Sequence, residues 1–187
     1  IYSGPIRSDA YLRFLVGELK PYIDGRYPTL PDRDNTFVMG SSLGGLISIY
    51  AISEYPDVFG GAACLSTHWP GSLYPGESPF PALMRQYLAE HIPAPEGHRL
   101  WFDYGSEGLD ASYAEYQHKV DGIVRNKGYG NDRWITYHAA GADHNEDAWR
   151  ARLHHPLTFL LAPRLPAPEV LASVASPDGR NEWSFAI

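Results

Sequence analysis

A serine between two glycines is the residue of this chain whose surroundings most clearly suggest chemistry. Gly40, Ser42 and Gly44 form a Gly-x-Ser-x-Gly pattern, and the spacing selects Ser42 over the adjacent Ser41. A serine hydroxyl is a weak nucleophile that needs a general base, and the base needs an acid that orients it. The pattern therefore predicts a histidine and a carboxylate that meet this serine in the folded chain.

The segments on either side of the pattern predict where the serine lies. Residues 36–39 predict a buried strand, whereas residues 43–53 carry apolar side chains at helical spacing and end before Pro56. On so sharp a turn we expect Gly40 and Gly44 because side chains there would collide with neighbouring backbone. A chain with 18 glycines could carry the pattern by chance in a loop. The strand and the helix favour instead a nucleophile elbow, the turn that lifts the hydroxyl above a parallel sheet.

The histidine predicted to act as the base is His144. It lies in the loop 141–144, which follows the last predicted strand, 134–138, and precedes a helix that begins near Asn145. A base in that loop reaches a serine on the elbow. His138, inside the strand, is expected to be packed. Five other histidines are expected to lie at the solvated surface: His91, His98, His118, His154 and His155.

The acid is predicted between a strand, 99–104, and a helix, 111–126. Three carboxylates compete there: Asp110, Glu107 and, within the strand, Asp103. We favour Asp110 because a carboxylate at the start of a helix is held rigidly, as an orienting acid must be. The alternative for Asp110 is an ordinary N-cap that accepts backbone N–H bonds. The order serine, acid, histidine along the chain is the one expected for the fold that the elbow indicates.

Several segments resemble motifs of the putative-esterase family, which includes siderophore esterases, feruloyl esterases, S-formylglutathione hydrolase and the antigen 85 mycolyltransferases. The resemblance covers roughly residues 8–162, and it is specific because the motifs occur in the order of the family. The matching motifs are the helix 18–24 with Tyr27, the Gly-x-Ser-x-Gly-Gly run 40–45, the Ser-x-x-Trp region 65–69, the acid loop 103–105 with Asp110, and the histidine loop 141–144 with Trp149.

This resemblance implies an α/β-hydrolase fold, with a mainly parallel sheet flanked by helices. It also implies that Ser42, Asp110 and His144 form a catalytic triad, and that the backbone N–H after the serine is half of the oxyanion hole. The candidates for oxyanion or substrate binding are Leu43, His68 and Trp69.

The start of the chain departs from the family. An α/β-hydrolase places about four strands before the elbow strand and takes its second oxyanion donor from the loop after the third strand. This chain offers one helix there and begins at Ile1 without a leader, so we expect the C-terminal portion of a longer protein. Loss of one oxyanion donor would lower turnover by about 10²–10³. The free edge of strand 37–39 would then be covered by an absent N-terminal segment, by residues 183–187 or by a second copy in a homodimer.

The C-terminal part predicts a boundary near residue 162. Residues 1–162 form the predicted hydrolase part, and residues 163–187 begin with a proline-rich linker. A turn at 176–179 and a strand at 182–187 follow, either as the start of a further β segment or as an edge strand of this domain.

Composition limits the classes of partner. The chain has 187 residues, 44% of them hydrophobic, and a net charge of −7 with scattered lysines and arginines, which argues for one domain and against nucleic acid. No apolar run approaches the roughly 20 residues of a membrane span. The single cysteine, Cys64, offers no disulfide framework, which allows the cytosol without excluding export. His138 and His144 could share a metal ion, but no third ligand stands at a recognised spacing, so we predict no metal and no cofactor.

An aromatic insertion is the predicted source of substrate specificity. Residues 68–92 separate two strands and carry five large apolar side chains: Trp69, Leu73, Tyr74, Phe80 and Tyr87. Such an insertion shapes the acyl or alcohol pocket, or it only covers the sheet. An aromatic pocket suits hydroxycinnamoyl, catecholate or other bulky acyl groups. The leading hypothesis is a serine esterase acting on a small-molecule ester, and the alternatives are an acyltransferase with the same triad and a non-catalytic binding domain.

Overall fold

The structure is a computed structural model that describes residues 6–71, 78–163, 170–175 and 182–186. Its helices are α1 (Ser8–Phe14), α2 (Lys20–Asp24), α3 (Leu43–Glu54), α4 (Phe80–His91), α5 (Tyr113–Asn126), α6 (Glu146–Arg152) and α7 (His154–Leu161). Its strands are β1 (Phe37–Ser41), β2 (Gly61–Leu65), β3 (Arg99–Gly105), β4 (Trp134–Ala139), β5 (Val170–Ala175) and β6 (Glu182–Ala186). A π-helical turn joins α1 to α2 (Leu15–Leu19), and 3-10 turns precede β1 and α5 (Arg33–Asn35, Gly108–Ser112).

Strands β1 to β4 form one parallel sheet in the order of the chain. The register places Gly40 beside Cys64 and Cys64 beside Phe102, so the carboxyl ends of the strands lie along one edge. Parallel strands need crossover connections, and the helices supply them. Strand β2 and most of β3 are buried, as expected for strands in the middle of such a sheet. The predicted strands 36–39, 99–104 and 134–138 are present with boundaries within two residues.

Side chains from both faces of the sheet pack into separate cores. Cys64 of β2 joins a core with Ile49 of α3, whereas its neighbour Leu65 joins a second core with Leu160 of α7. Successive residues of a strand point to opposite faces, so helices are needed on both sides. Cys64 is fully buried, which confirms its prediction as a small hydrophobic residue.

Strand β1 has one neighbour among the described residues. It pairs with β2, and its Met39 is 38% exposed. Strand β6 pairs antiparallel with β5 in a separate two-stranded sheet. The sequence does not predict strand β5. The expectation that residues 183–187 could cover the edge of β1 is therefore wrong, while an absent segment or a second copy stays a prediction. The predicted turn 176–179 and most of the linker lie outside the described residues.

Several histidines lie in positions that the sequence did not indicate. His138 is exposed rather than packed because β4 lies at the edge of the described sheet, and its ring stacks on Tyr104 at a centroid distance of 5.0 Å. His98 is 5% exposed rather than solvated, and its ring nitrogens each lie 2.9 Å from a backbone carbonyl oxygen. His155 is half-buried. The other surface predictions are confirmed, for His91, His118 and His154.

Candidate active site

Ser42 lies on the predicted turn, between the end of β1 and the start of α3. Its φ of 57° and ψ of −118° are sparsely populated for a residue that carries a side chain. A Cβ at Gly40 would lie 2.6 Å from the carbonyl carbon of Gly44, so the turn requires glycine at this position. A Cβ at Gly44 would meet nothing within 4 Å, so the predicted collision there is wrong. The second crowded glycine is Gly45, where a Cβ would lie 2.6 Å from Thr67 Oγ1.

Three polar side chains meet at the carboxyl ends of three strands. Ser42 follows β1, Asp110 follows β3 within the turn Gly108–Ser112, and His144 follows β4 in the loop before α6. This edge of a parallel sheet is where ligand sites form, because loops from separate strands converge there.

Two hydrogen bonds join these three side chains. Ser42 Oγ lies 2.9 Å from His144 Nε2, and His144 Nδ1 lies 2.6 Å from Asp110 Oδ1. An ionised carboxylate only accepts, so Nδ1 carries the ring proton and donates it, which leaves Nε2 to accept from the Ser42 hydroxyl. The Asp110 side chain is fully buried, and that of His144 is 9% exposed. The arrangement is a base held in one tautomer beside a serine hydroxyl.

Asp110 is not the helix-start carboxylate that the sequence predicted. Helix α5 begins at Tyr113 with Ser112 at its N-cap, so Asp110 does not cap it. Asp110 Oδ2 instead accepts the Gly105 N–H at 2.6 Å and the Ser66 hydroxyl at 2.5 Å. Both carboxylate oxygens therefore have partners, and these partners fix the orientation of the group.

The two competing carboxylates have other partners. Glu107 is exposed, and its Oε1 lies 3.3 Å from Ser106 Oγ. Asp103 is fully buried and pairs with the guanidinium of Arg152 at 3.0 Å. Burial raises the pKa of the Asp103 carboxyl, and the charge of Arg152 acts in the opposite direction. Of the three candidates, Asp110 is the one in contact with the histidine.

Aromatic rings surround the His144 imidazole. Trp149 and Tyr113 lie at centroid distances of 5.0 Å and 5.5 Å, each at 81° to the imidazole plane. The Tyr113 hydroxyl lies 2.6 Å from Nδ1 of His68. Burial, together with the nearby charge of Asp110, raises the pKa of the Tyr113 phenol, so the hydroxyl stays protonated at neutral pH. The rings leave the imidazole little freedom to turn away from the serine.

The three residues predicted for oxyanion or substrate binding take different positions. Leu43 is the first residue of α3, where a backbone N–H has no partner within the helix, and its side chain is 63% exposed. The His68 N–H donates to the Ser42 carbonyl at 3.1 Å, and the His68 side chain is buried. Trp69 packs in the core, where its indole N–H donates to Gln117 at 2.8 Å. Its prediction as a substrate-binding residue is wrong because the side chain is 3% exposed.

An apolar cavity of about 550 Å³ opens beside Leu43. Residues of α3 and α4 form most of its lining: Leu46, Ile47, Tyr50, Phe80, Met84 and Tyr87. Two aromatic residues of the predicted pocket, Phe80 and Tyr87, therefore lie there, whereas Leu73 and Tyr74 are outside the described residues. A larger cavity of about 720 Å³ lies at the opposite edge of the sheet, where β3 and β4 begin.

Two residues that reach this site were not predicted as part of it. Ser66 directly follows β2, has a φ of 41°, and bonds Asp110. Arg152 ends α6, is 5% exposed, and bonds both Ser66 and Asp103. A signal existed for Ser66, since a polar residue directly after a buried strand lies at the same sheet edge as Ser42. None existed for Arg152, whose partners are 49 and 86 residues away in the chain.

The described part of the chain contains neither a metal-binding cluster nor a membrane-spanning helix. There, no three His, Cys, Asp or Glu side chains cluster so that they could hold a metal ion. None of the helices described is long and apolar enough to cross a bilayer.

Solved structures of esterases have the same fold. The enterochelin esterase of Shigella flexneri has a TM-score of 0.68 and 22% identity, over 85% of this chain and 38% of that one. A ferulic acid esterase has a TM-score of 0.62 and 18% identity, over 80% and 60%. The S-formylglutathione hydrolase of Staphylococcus aureus has a TM-score of 0.57 and 17% identity, over 82% and 65%. At these identities the likeness establishes the fold, which is that of an α/β-hydrolase, and the chain spans 38% to 65% of these proteins.

Two further similarities concern the sequence itself. The uncharacterized protein YjcH of Bacillus subtilis (strain 168) is 39% identical over 51 residues, which are 27% of this chain and 21% of that protein. A family model described as Putative esterase matches residues 3–160. Because that match spans most of the chain and includes all three hydrogen-bonded side chains, the protein belongs to the Putative esterase family.

Proposed function

We propose that the protein is a serine esterase in which Ser42 is the nucleophile, His144 the general base and Asp110 the orienting acid. The observation that carries the proposal is the pair of hydrogen bonds, 2.9 Å and 2.6 Å long, that joins these side chains at the edge of the sheet. Membership of an esterase family and the likeness to solved esterases favour an ester as the substrate. The same geometry serves both halves of ester hydrolysis.

In the first half, an acyl-enzyme forms. Ser42 Oγ attacks the ester carbonyl carbon while His144 Nε2 takes the hydroxyl proton. Negative charge then develops on the carbonyl oxygen, and the Leu43 N–H at the positive end of α3 donates to it. The carboxylate of Asp110 stabilises the imidazolium, which passes its proton to the departing alcohol.

In the second half, water releases the acyl group. His144 removes a proton from a water molecule, which attacks the acyl carbon and regenerates the oxyanion at the Leu43 N–H. Collapse of this intermediate breaks the bond to Ser42, and the imidazolium returns a proton to the serine oxygen. The free serine and the carboxylic acid are the products.

Covalent labelling tests this function. A fluorophosphonate phosphonylates an activated serine and releases fluoride, so we expect one probe per chain on the tryptic peptide that contains the elbow. Fragmentation should place it on Ser42 and not on Ser41, which lies one residue away but at the end of β1. The same protein should release p-nitrophenol from p-nitrophenyl acetate. Absence of both reactions would leave a non-catalytic binding domain as the better description, and labelling at Ser41 would transfer the role of the nucleophile to that residue.

We also propose that the substrate carries a bulky or aromatic acyl group. The apolar cavity of about 550 Å³ begins at Leu43, the residue next to the nucleophile, and it offers rings from Tyr50, Phe80 and Tyr87. Apolar walls with aromatic side chains bind aryl and long acyl chains by burial of apolar surface. One of the similar solved structures is a ferulic acid esterase, which is in keeping with such a substrate.

A single substitution that fills the cavity tests the acyl preference. Met84→Trp places a large ring among the lining residues, so kcat/KM for a hydroxycinnamoyl ester should fall at least about tenfold, while kcat/KM for an acetate ester should change little. Leu83→Trp is the matched control, because Leu83 is the preceding residue of the same helix and is 59% exposed outside the cavity. Equal losses for both esters, or for both variants, would contradict the assignment of the cavity to the acyl group.

A further inference from the structure

The neighbours of Ser66 allow its hydroxyl proton to point in only one direction. It is fully buried and has three neighbours: Trp149 Nε1 at 3.0 Å, Arg152 Nη2 at 2.7 Å and Asp110 Oδ2 at 2.5 Å. An indole N–H and a guanidinium only donate hydrogen bonds, so the hydroxyl oxygen accepts from both. The single proton of Ser66 must then go to Asp110. The direction of this bond follows from the chemistry of the neighbours, without any choice of rotamer.

Arg152 is itself held in place by a second carboxylate. Its Nε and Nη2 donate to Asp103 Oδ1 at 3.1 Å and 3.0 Å. Asp103 is fixed in turn by the indole N–H of Trp101 at 3.1 Å and the Ser66 N–H at 3.2 Å. A buried charge that is paired and hydrogen-bonded on several sides has little freedom to move. The guanidinium therefore presents the second N–H of Nη2 to Ser66 from a fixed position, while Nη1 is buried without a hydrogen-bond partner.

Helix α6 and the loop before it carry His144 together with the two donors to Ser66, Trp149 and Arg152. His144 precedes α6, and Trp149 and Arg152 lie three residues apart on that helix, so their side chains project from the same face. The N-cap of the helix, Asn145, accepts the Ala148 N–H at 2.9 Å and fixes where the helix begins. The position of α6 thus fixes the orientation of the His144 imidazole. Through Ser66 it also fixes the orientation of the Asp110 carboxylate.

We propose that Ser66 and Arg152 are positioning residues for Asp110, which they hold with Oδ1 toward His144. The inference rests on the proposed esterase function, to which it adds a buried chain of contacts that runs from Asp103 to the nucleophile. Ser66 and the Gly105 N–H both donate to Oδ2, which holds Oδ1 on the side of His144. Without the Ser66 hydroxyl, rotation of the carboxylate would cost less, and the histidine would lose its fixed tautomer and orientation.

The test uses the full chain and two substitutions at Ser66. Ser66→Ala and Ser66→Gly both remove the hydroxyl, but glycine also relieves the strain of a φ of 41°. For both variants we expect kcat for a p-nitrophenyl ester to fall about 10–100-fold with KM nearly unchanged, the loss typical of removing a hydrogen-bond partner behind a functional group. Circular dichroism and thermal melting show whether each variant is folded. A purely structural role for the side chain predicts that glycine restores kcat, which would overturn the proposal.

Matched substitutions at two arginines of α6 test the role of Arg152. Arg152→Met keeps the length of the side chain and removes its donors, so kcat should fall as in the Ser66 variants. Arg150→Met is the control, because Arg150 lies on the same helix with its side chain 79% exposed and pairs with Asp147, whose side chain is 90% exposed. Arg152→Lys keeps the charge but not the planar fork, and it should recover part of kcat. Equal kcat for Arg152→Met and the wild type would overturn the role of Arg152.

A spectroscopic measurement separates this inference from the proposed function. The proton on His144 Nδ1, shared with Asp110 at 2.6 Å, should give a downfield proton resonance in a ¹⁵N-labelled sample. We expect that resonance to broaden or disappear in Ser66→Ala and to persist in Arg150→Met. If the wild type neither turns over esters nor reacts with fluorophosphonate, the esterase proposal fails and this readout still decides the positioning role. A resonance unchanged in Ser66→Ala would overturn the positioning role even in an active enzyme.

Discussion

Replacement of Asp110 by asparagine is expected to lower kcat by up to about 10⁴ and to leave KM close to its original value. The Ser66 hydroxyl and the Gly105 N–H both donate to Oδ2, so the carbonyl oxygen of an asparagine would occupy that side. Its NH₂ group would then face His144 Nδ1 and force that nitrogen to accept. The other nitrogen, Nε2, would carry the proton and could no longer take one from Ser42.

The control for this experiment is the competing carboxylate of the same loop. Glu107→Gln should keep wild-type turnover, because Glu107 is exposed and its nearest hydrogen-bonding partner is Ser106. Both variants change one oxygen to a nitrogen, so they differ in position and not in chemistry. Initial rates at saturating and limiting p-nitrophenyl ester separate kcat from KM. A normal rate in Asp110→Asn together with a crippled Glu107→Gln would transfer the role of the acid to Glu107.

The local part of this site is predictable because each of its residues is marked by its neighbours in the chain. The glycines around Ser42, the apolar strand before it and the helix after it are all within about a dozen residues. His144 is marked in the same way by the strand before it and the N-cap Asn145 after it. The choice of Asp110 rests on a wrong local reason, because Asp110 does not start a helix. The contacts that hold its carboxylate come from Ser66 and Gly105 instead, and its role as the orienting acid stays a proposal.

The contacts that the sequence did not indicate join residues far apart in the chain. Ser66, Asp103 and Arg152 come from three separate elements, and each alone is an ordinary polar residue. Trp69 was assigned to the pocket because an insertion usually covers the site, yet its indole N–H found a buried acceptor in Gln117. His98 is predicted in solvent, yet its ring is buried where an N–H can donate to the backbone carbonyl of Ala94 or of Pro56, each 2.9 Å from a ring nitrogen. Burial of a polar side chain depends on whether distant partners satisfy it, and no local pattern reports that.

Substitution by alanine is expected to change the free energy of unfolding differently at the two glycines that flank Ser42. Gly40→Ala should destabilise the fold by about 1–3 kcal/mol, because its Cβ would fall 2.6 Å from backbone carbon and oxygen of Gly44. Backbone atoms cannot rotate away as a side chain can, so β1 and α3 would have to move apart at Ser42. Gly44→Ala should be neutral or stabilise by up to about 1 kcal/mol, since its Cβ meets nothing within 4 Å and alanine is the better helix former.

Urea denaturation of the two alanine variants measures this difference directly. The midpoint should fall for Gly40→Ala and hold or rise for Gly44→Ala, with equal slopes if both unfold in two states. Fluorophosphonate labelling of Ser42 should slow in Gly40→Ala, because opening the turn displaces the hydroxyl from His144 Nε2, now 2.9 Å away. Equal midpoints and equal labelling rates for the two variants would mean that the turn relaxes without cost. The strained φ of 57° at Ser42 would then not depend on the contact between the two glycines.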